Sequence, residues 1–181
     1  MRALLKDNKG FSFIEVIVVV AIIAVLAASS VSAMSYLVRG DIKKATKTVY
    51  SEIASNRTYA MAKPGDWLFT VNNSSGVFVL ESINAESINA DGSYVNPVTY
   101  SEEKLSNRVS SIEVKICAAD GSVVSDYTTL NSISFKKSTG AVKAVNGITA
   151  NYGGYAEIKV DISGNNRVLR LYFLTGKIEQ V

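Results

Sequence analysis

An uncharged stretch of 23 residues, from Val16 to Val38, constrains this chain more than any other feature. As a helix it would extend roughly 34 Å, which exceeds the ~30 Å hydrocarbon core of a bilayer. A buried core helix is the weaker interpretation, because a soluble helix of this length normally carries a polar face. The first nine residues hold three Lys or Arg against one Asp. The positive-inside rule therefore places the N-terminus in the cytoplasm and the residues after Val38 outside.

The composition excludes several classes of chemistry. With one Cys and no His, the chain can form no intramolecular disulfide, no Cys/His zinc site and no His-dependent nucleophile. Asp91-Gly92 and Asp120-Gly121 are turn signals that lack the spaced oxygen ligands of a calcium loop. Cys117, at the polar-face position of a predicted strand, is expected to be a half-buried and unreactive thiol. We therefore expect no metal, no cofactor and no enzymatic activity.

The residues before the apolar run distinguish two kinds of N-terminal segment. An ordinary secretory signal would end in a small-residue cleavage site, and Ala27-Ala28-Ser29 and Ser32-Ala33 are weak sites of that kind. The run is preceded by Lys9-Gly10-Phe11-Ser12-Phe13-Ile14-Glu15. This motif resembles the class III signal of type IV pilins and pseudopilins, which has a Gly before the cut, an aromatic residue after it and a Glu at the fifth mature position.

The resemblance covers roughly residues 6–38 and implies how the chain is processed. In that family prepilin peptidase, a membrane aspartic protease, cuts after the Gly on the cytoplasmic side and methylates the new N-terminus. Carried over to this sequence, residues 1–10 are a leader, Gly10 precedes the cut and Phe11 becomes the N-methylated residue. One departure is Ser32, which stands where the family often has a Pro.

The same resemblance implies partners and a location. The partners are prepilin peptidase, other pilin or pseudopilin subunits contacted through the N-terminal helix, the membrane protein of the assembly platform, and the lipid bilayer before assembly. The chain is expected to be a single-pass protein of the cytoplasmic (inner) membrane with its N-terminus in the cytoplasm. It would then enter an extracellular or periplasmic filament.

Glu15 is expected to set the register of assembly together with Phe11. A carboxylate at the edge of a bilayer core costs a few kcal/mol, so Glu15 needs a partner. After cleavage Phe11 would supply an α-ammonium four residues upstream, and methylation would leave that amine cationic. The pair can form within one subunit or between neighbours. The alternative is that Glu15 is an interfacial charge near the lipid headgroups.

Beyond the apolar run the pattern is that of an amphipathic helix. Apolar residues recur at three-to-four-residue spacing, at Ile42, Ala45, Val49, Ile53 and Ala60. Pro64-Gly65 is a stop signal. We therefore predict one long helix that ends near Ala62, with residues 11–38 in the membrane or filament core and residues 39–63 packed on a globular domain.

After Pro64 the apolar period becomes two, which is the period of strands. Alternating runs occupy residues 67–72, 76–80, 112–117, 133–136, 142–145, 156–162 and 168–174, with a last short strand at Ile178. Residues 64–181 are therefore predicted to form an antiparallel β-sheet head. The fold class is α+β, with the long N-terminal helix packed on the sheet, and the resemblance implies that this is the pilin fold.

The segment Ser82–Leu105 is predicted to be a surface loop. It includes most of a tandem duplication, in which Glu81–Ala85 is repeated as Glu86–Ala90. The duplication is either an insertion that a surface loop tolerates or a tip loop that contacts a partner.

The C-terminal order of elements carries a second, looser resemblance. Ser134-Phe135, a turn at Gly140, strands at Ala156–Ile162 and Val168–Phe173, and the finish Gly176-Lys177-Ile178 resemble GspH/FimT-type minor pilins and pseudopilins. We therefore expect a minor subunit or pseudopilin. The alternatives are a major pilin and a membrane-anchored DNA-binding subunit of a competence filament.

The DNA-binding alternative depends on basic residues of the last strands. Arg167, Arg170 and Lys177 are the candidate contacts, interleaved with Tyr155 and Tyr172. Arg167 and Arg170 are three residues apart, so on one strand they face opposite sides. Such charges more often form a solvated sheet face, and we do not expect nucleic acid to bind.

Overall fold

The computed structural model describes residues 12–88, 94–150 and 153–181. The chain divides into two compact units, Met1–Leu37 and Val38–Val181. The helix α1 (Phe13–Ala62) contributes its first half to one unit and its second half to the other. The predicted leader residue Gly10 and the predicted modified residue Phe11 both lie outside the described residues.

The helix ends where the sequence predicts. Lys63 still donates its backbone N–H to Tyr59 O at 2.9 Å, and Pro64 and Gly65 then break the pattern. Gly65 has a φ of +90°, and a Cβ added there would lie 2.1 Å from Asn84 Oδ1 and 2.8 Å from Ala85 O. Only glycine fits this turn from helix to sheet.

The predicted apolar stripe of the second half of α1 is confirmed. Its members Ile42, Ala45, Val49, Ile53 and Ala60 are all buried, with Val49 and Ile53 fully so. They join one hydrophobic core with side chains from the sheets, among them Phe69, Ile158 and Leu171. Burying one such side chain stabilises the fold by about 1.5–3 kcal/mol.

The strands that follow the helix are β1 (Asp66–Ser74), β2 (Val77–Ala85), β3 (Ser87–Ile88), β4 (Tyr94–Val95), β5 (Val98–Lys104), β6 (Ser111–Cys117), β7 (Val123–Thr129), β8 (Ser132–Phe135), β9 (Val142–Val145), β10 (Ile148–Thr149), β11 (Tyr155–Ile162), β12 (Asn165–Tyr172) and β13 (Ile178–Gln180). In the described part of the chain they form a six-stranded sheet, β10-β9-β8-β1-β2-β5, a five-stranded sheet, β13-β12-β11-β6-β7, and the pair β3-β4. All neighbouring strands pair antiparallel. The predicted α+β class, a helix packed on antiparallel sheet, is confirmed, and the architecture is consistent with a pilin fold.

Two hairpin turns are tighter than the sequence predicted. The β1–β2 loop is Ser75-Gly76 and the β11–β12 loop is Ser163-Gly164, and all four residues have positive φ. Two-residue loops of this kind match the right-handed twist of the paired strands. The strands therefore extend beyond the predicted alternating runs: Asn73 and Ser74 belong to β1, and Asn165 and Asn166 belong to β12.

The prediction of a surface loop over Ser82–Leu105 is wrong. The end of β2, the pair β3-β4 and all of β5 lie in this segment. The first copy of the duplication, Glu81–Ala85, lies in β2 and pairs with Asp66–Thr70 of β1. The second copy runs beyond the described residues after Ile88.

Cys117 is buried rather than half-buried, with 2% of its surface exposed. The pairing of β6 with β7 shifts register between Ile116 and Cys117. This irregularity ends the strict alternation of β6, so two consecutive side chains are buried.

Candidate functional site

The first turn of α1 is closed by a hydrogen bond between two motif residues. Ser12 precedes the helix, and its backbone N–H donates to Glu15 Oε2 at 2.8 Å. Val16 N–H donates to Ser12 O at 3.3 Å. Ser followed three residues later by Glu is the spacing of a capping box, and a carboxylate in the first turn also interacts favourably with the helix dipole. The Glu15 carboxylate therefore has a partner in its own chain, at the residue that caps the helix.

The helix that follows exposes its apolar side chains on all sides. The exposed residues are Phe13, Ile14, Val16, Ile17, Val18, Val19, Val20, Ile22, Ile23, Val25 and Leu26, with exposed fractions from 49% to 81%. Large contiguous apolar surfaces on a folded chain mark sites of contact with protein or lipid. Among the described residues, no helix is both long and apolar enough to cross a membrane.

The comparison with protein families identifies this region. Residues 5–31 match the family model described as the prokaryotic N-terminal methylation motif. Neither a curated protein nor a solved structure matches the chain. The chain thus carries the N-terminal signal of type IV pilin-like proteins. A signal of this kind implies processing by prepilin peptidase and assembly with other pilin subunits, and it suggests a membrane anchor at the N-terminus.

The candidate DNA-contacting residues are not brought together on one face. Arg170 lies on the face of β12 opposite to the buried Leu169 and Leu171. Arg167 lies on the same face as these two leucines but is exposed, near the start of the strand. Lys177 lies beyond the strand, in the turn before β13. The expectation that Arg167 and Arg170 face opposite sides is confirmed.

Two of these three cations are neutralised by neighbouring carboxylates. Arg170 donates to Glu157 Oε1 at 2.8 Å across the β11–β12 pair, and this hydrogen bond raises the pKa of its guanidinium. Its guanidinium also lies 4.5 Å from the centroid of the Tyr155 ring. Lys177 Nζ lies 2.5 Å from Glu179 Oε1, and that hydrogen bond raises the pKa of Lys177 and lowers the pKa of Glu179. The field that a phosphate would meet here is correspondingly weaker.

No group of three or more potential metal-ligating residues comes together in the part of the chain that the structure describes. A different cluster, which the sequence pattern did not predict, forms near the end of α1. Tyr59, Lys63, Trp67 and Tyr100 meet there, with the Lys63 ammonium over all three rings. The spacing Tyr-x3-Lys-x3-Trp was the available signal. Tyr100 could not be added, because its segment was predicted to be a loop.

Proposed function

We propose that the chain is a structural subunit of a type IV pilus-like filament, held together through the first half of α1, and that it is not an enzyme. The observation that carries this proposal is the methylation motif at residues 5–31 continuing into a helix whose apolar side chains are exposed. Those side chains need lipid around them before assembly and neighbouring subunits around them afterwards.

The proposed processing assigns a role to each motif residue. Prepilin peptidase cuts after Gly10 in the leader 1–10, and Phe11 becomes the N-methylated terminus. Glu15 and the Phe11 ammonium then fix the register between subunits. Before assembly the protein is a single-pass inner-membrane protein with its N-terminus in the cytoplasm, and it reaches an extracellular or periplasmic filament through the membrane protein of the assembly platform.

Processing is tested by Gly10→Val, with Ala3→Val as the control that adds bulk elsewhere in the leader. The leader accounts for about 1.1 kDa, since 181 residues weigh 19.4 kDa. Gly10→Val, or loss of the peptidase, should leave a precursor heavier by that amount, whereas Ala3→Val should be processed normally. Mass spectrometry of the mature protein should find a methylated Phe11. A mature N-terminus at Met1 would refute the proposal.

We further propose that the subunit is a minor pilin or pseudopilin. The support is the order of the last strands, in which the β11–β12 hairpin is followed by Gly176-Lys177 and the short β13, as in the GspH/FimT-type pattern. Its stoichiometry in sheared filaments distinguishes the two assignments. A minor subunit gives a weak band near the mature mass of about 18 kDa. A dominant band at that mass would make the chain a major pilin.

A further inference from the structure

Three aromatic rings near the end of α1 enclose one cation of the same chain. The Lys63 Nζ lies 3.7 Å from the ring centroid of Tyr100, 4.5 Å from that of Tyr59 and 5.6 Å from that of Trp67. The three centroids are 5.0 to 5.2 Å from one another. All three distances to the cation fall within the ~6 Å over which a ring face attracts a positive charge. We call these three rings the aromatic cage.

The aromatic cage has two walls fixed by the fold and one that is accessible. Trp67, on β1, is 2% exposed, and its indole N–H donates to Pro64 O at 3.2 Å. Tyr59 comes from the last turns of α1 and is half-buried. Tyr100 comes from β5, the outermost strand of its sheet, and is 53% exposed. A ligand can therefore approach beside Tyr100 and meet rings that are already in place.

The aromatic cage is a poor environment for the primary ammonium of Lys63. Lys63 makes no ion pair within the described residues, and its hydrogen-bond acceptor there is the Tyr100 hydroxyl. A lysine ammonium has three donors and is strongly hydrated, so ring faces replace its water incompletely. A quaternary ammonium has no N–H group to satisfy and binds through ring faces alone.

We propose that Tyr59, Trp67 and Tyr100 form a binding site for a small quaternary ammonium compound of the choline class, and that Lys63 occupies this site in the free protein as a tethered competitor. A tethered group acts at an effective concentration in the millimolar range. The ligand binds only to chains in which Lys63 has left the cage. The apparent affinity for the ligand is therefore the intrinsic affinity multiplied by the fraction of chains in which the cage is empty. Removing the Lys63 side chain should then tighten choline binding about tenfold.

The experiment uses the full chain in maltoside micelles and the fluorescence of Trp67, the chain's one tryptophan. Choline and its neutral carbon isostere dimethylbutanol are titrated separately into three proteins: the unchanged chain, Lys63→Ala and Lys47→Ala. Lys47 is exposed on the same helix and controls for the loss of one charge. Lys63→Ala should bind choline about tenfold more tightly than the other two proteins, with dimethylbutanol far weaker.

Tyr100→Phe keeps the test decisive if Lys63→Ala fails to fold, and a double variant tests the ring of Tyr100 where Lys63→Ala does fold. Tyr100→Phe keeps the ring and removes the hydroxyl that holds Lys63, so it should also tighten choline binding. The double variant Lys63→Ala/Tyr100→Ala should lose choline binding. Equal binding of choline and dimethylbutanol to Tyr100→Phe, and to Lys63→Ala where it folds, would overturn the proposal. Unchanged choline binding in the double variant would overturn it as well, and Lys63 would then be only a structural cation at the helix end.

A second arm distinguishes the source of the quaternary ammonium. Glycerophosphocholine carries the lipid headgroup in water-soluble form and is titrated beside free choline. Tighter binding of glycerophosphocholine supports a lipid headgroup as the ligand, and equal or tighter binding of choline supports a free ammonium compound. Failure of both ligands overturns the proposal and leaves the filament assignment untouched, because the cage lies outside the N-terminal motif.

Discussion

Glu15 places a carboxylate where two interactions compete for it. In the structure it accepts a hydrogen bond from Ser12 N–H and closes the first turn of α1. In the proposed filament it pairs with the ammonium of Phe11. The first interaction needs only an acceptor oxygen, whereas the second needs a negative charge. This difference allows the two roles to be separated by substitution.

We expect Glu15→Val and Glu15→Gln to be cleaved normally, because the cut lies on the far side of Phe11. Both should also enter the membrane at least as well as the unchanged chain, because a costly charge is gone. Both should be poorly incorporated into filaments, as measured by the ratio of sheared to cell-associated subunit. Glu15→Gln retains an oxygen for the Ser12 N–H. Normal incorporation of Glu15→Gln would show that helix capping, and not the charge, is what assembly requires.

Gly65 is the residue on which the path from helix to sheet depends most. Gly65→Ala would put a methyl group 2.1 Å from Asn84 Oδ1 at a φ of +90°. We expect it to lower the free energy of unfolding by about 1–3 kcal/mol, as measured by urea denaturation. The control is Gly76→Ala, at a φ of +80° with nothing within 4 Å of the added Cβ. Gly76→Ala has the same backbone strain but no clash. Equal losses of unfolding free energy in the two variants would therefore contradict the claim that the close contact with Asn84 requires glycine at position 65.

At the scale of elements, the helix was predictable and the edge strands β5 and β7 were not. The stripe from Ile42 to Ala60 repeats with the helical period and has one buried side, so the sequence determines it. The missed strands β5 and β7 are the outermost strands of their sheets, and nearly all their side chains are exposed. A strand exposed on both faces carries no apolar alternation, so its existence depends on backbone pairing with a neighbour.

The same limit explains which parts of the candidate sites could be predicted. Gly10, Phe11 and Glu15 belong to one short motif, so the resemblance of that motif to the class III signal was enough to propose them without the fold. The aromatic cage needs Tyr100, which reaches Lys63 only because β5 pairs with β2. Likewise, the burial of Cys117 follows from a register shift between β6 and β7. The local sequence pattern does not predict long-range strand pairing of this kind.

Packing of the second half of α1 on the sheets is tested at Ile53, which is fully buried. Ile53→Ala in the fragment Arg39–Val181 should lower the free energy of unfolding by about 2–5 kcal/mol, because it removes buried methylene groups and leaves a cavity. Lys47→Ala, on an exposed position of the same helix, should change it by less than about 0.5 kcal/mol. Equal effects in urea denaturation would mean that the helix does not pack on the sheets in solution.

At the scale of the whole molecule, charge decides whether the sheet domain can bind DNA. Residues 39–181 hold 16 Lys and Arg against 14 Asp and Glu. A domain so close to neutral binds DNA only through a segregated patch. Two of the three candidate cations are paired with Glu157 and Glu179, and Arg167 and Arg170 face opposite sides of β12.

We therefore expect the fragment Arg39–Val181 to show no DNA affinity at physiological salt in a mobility-shift assay. Lowering the salt is the sensitive form of this test, because each phosphate neutralised by a cation releases a counterion and steepens the salt dependence. Arg167→Ala and Lys177→Ala are compared with Lys47→Ala, which removes one charge from the helix. A shift at physiological salt that Arg167→Ala or Lys177→Ala abolishes and Lys47→Ala preserves would contradict the prediction and favour a DNA-binding filament subunit. A weak shift at low salt that all three substitutions reduce equally is attraction by net charge alone.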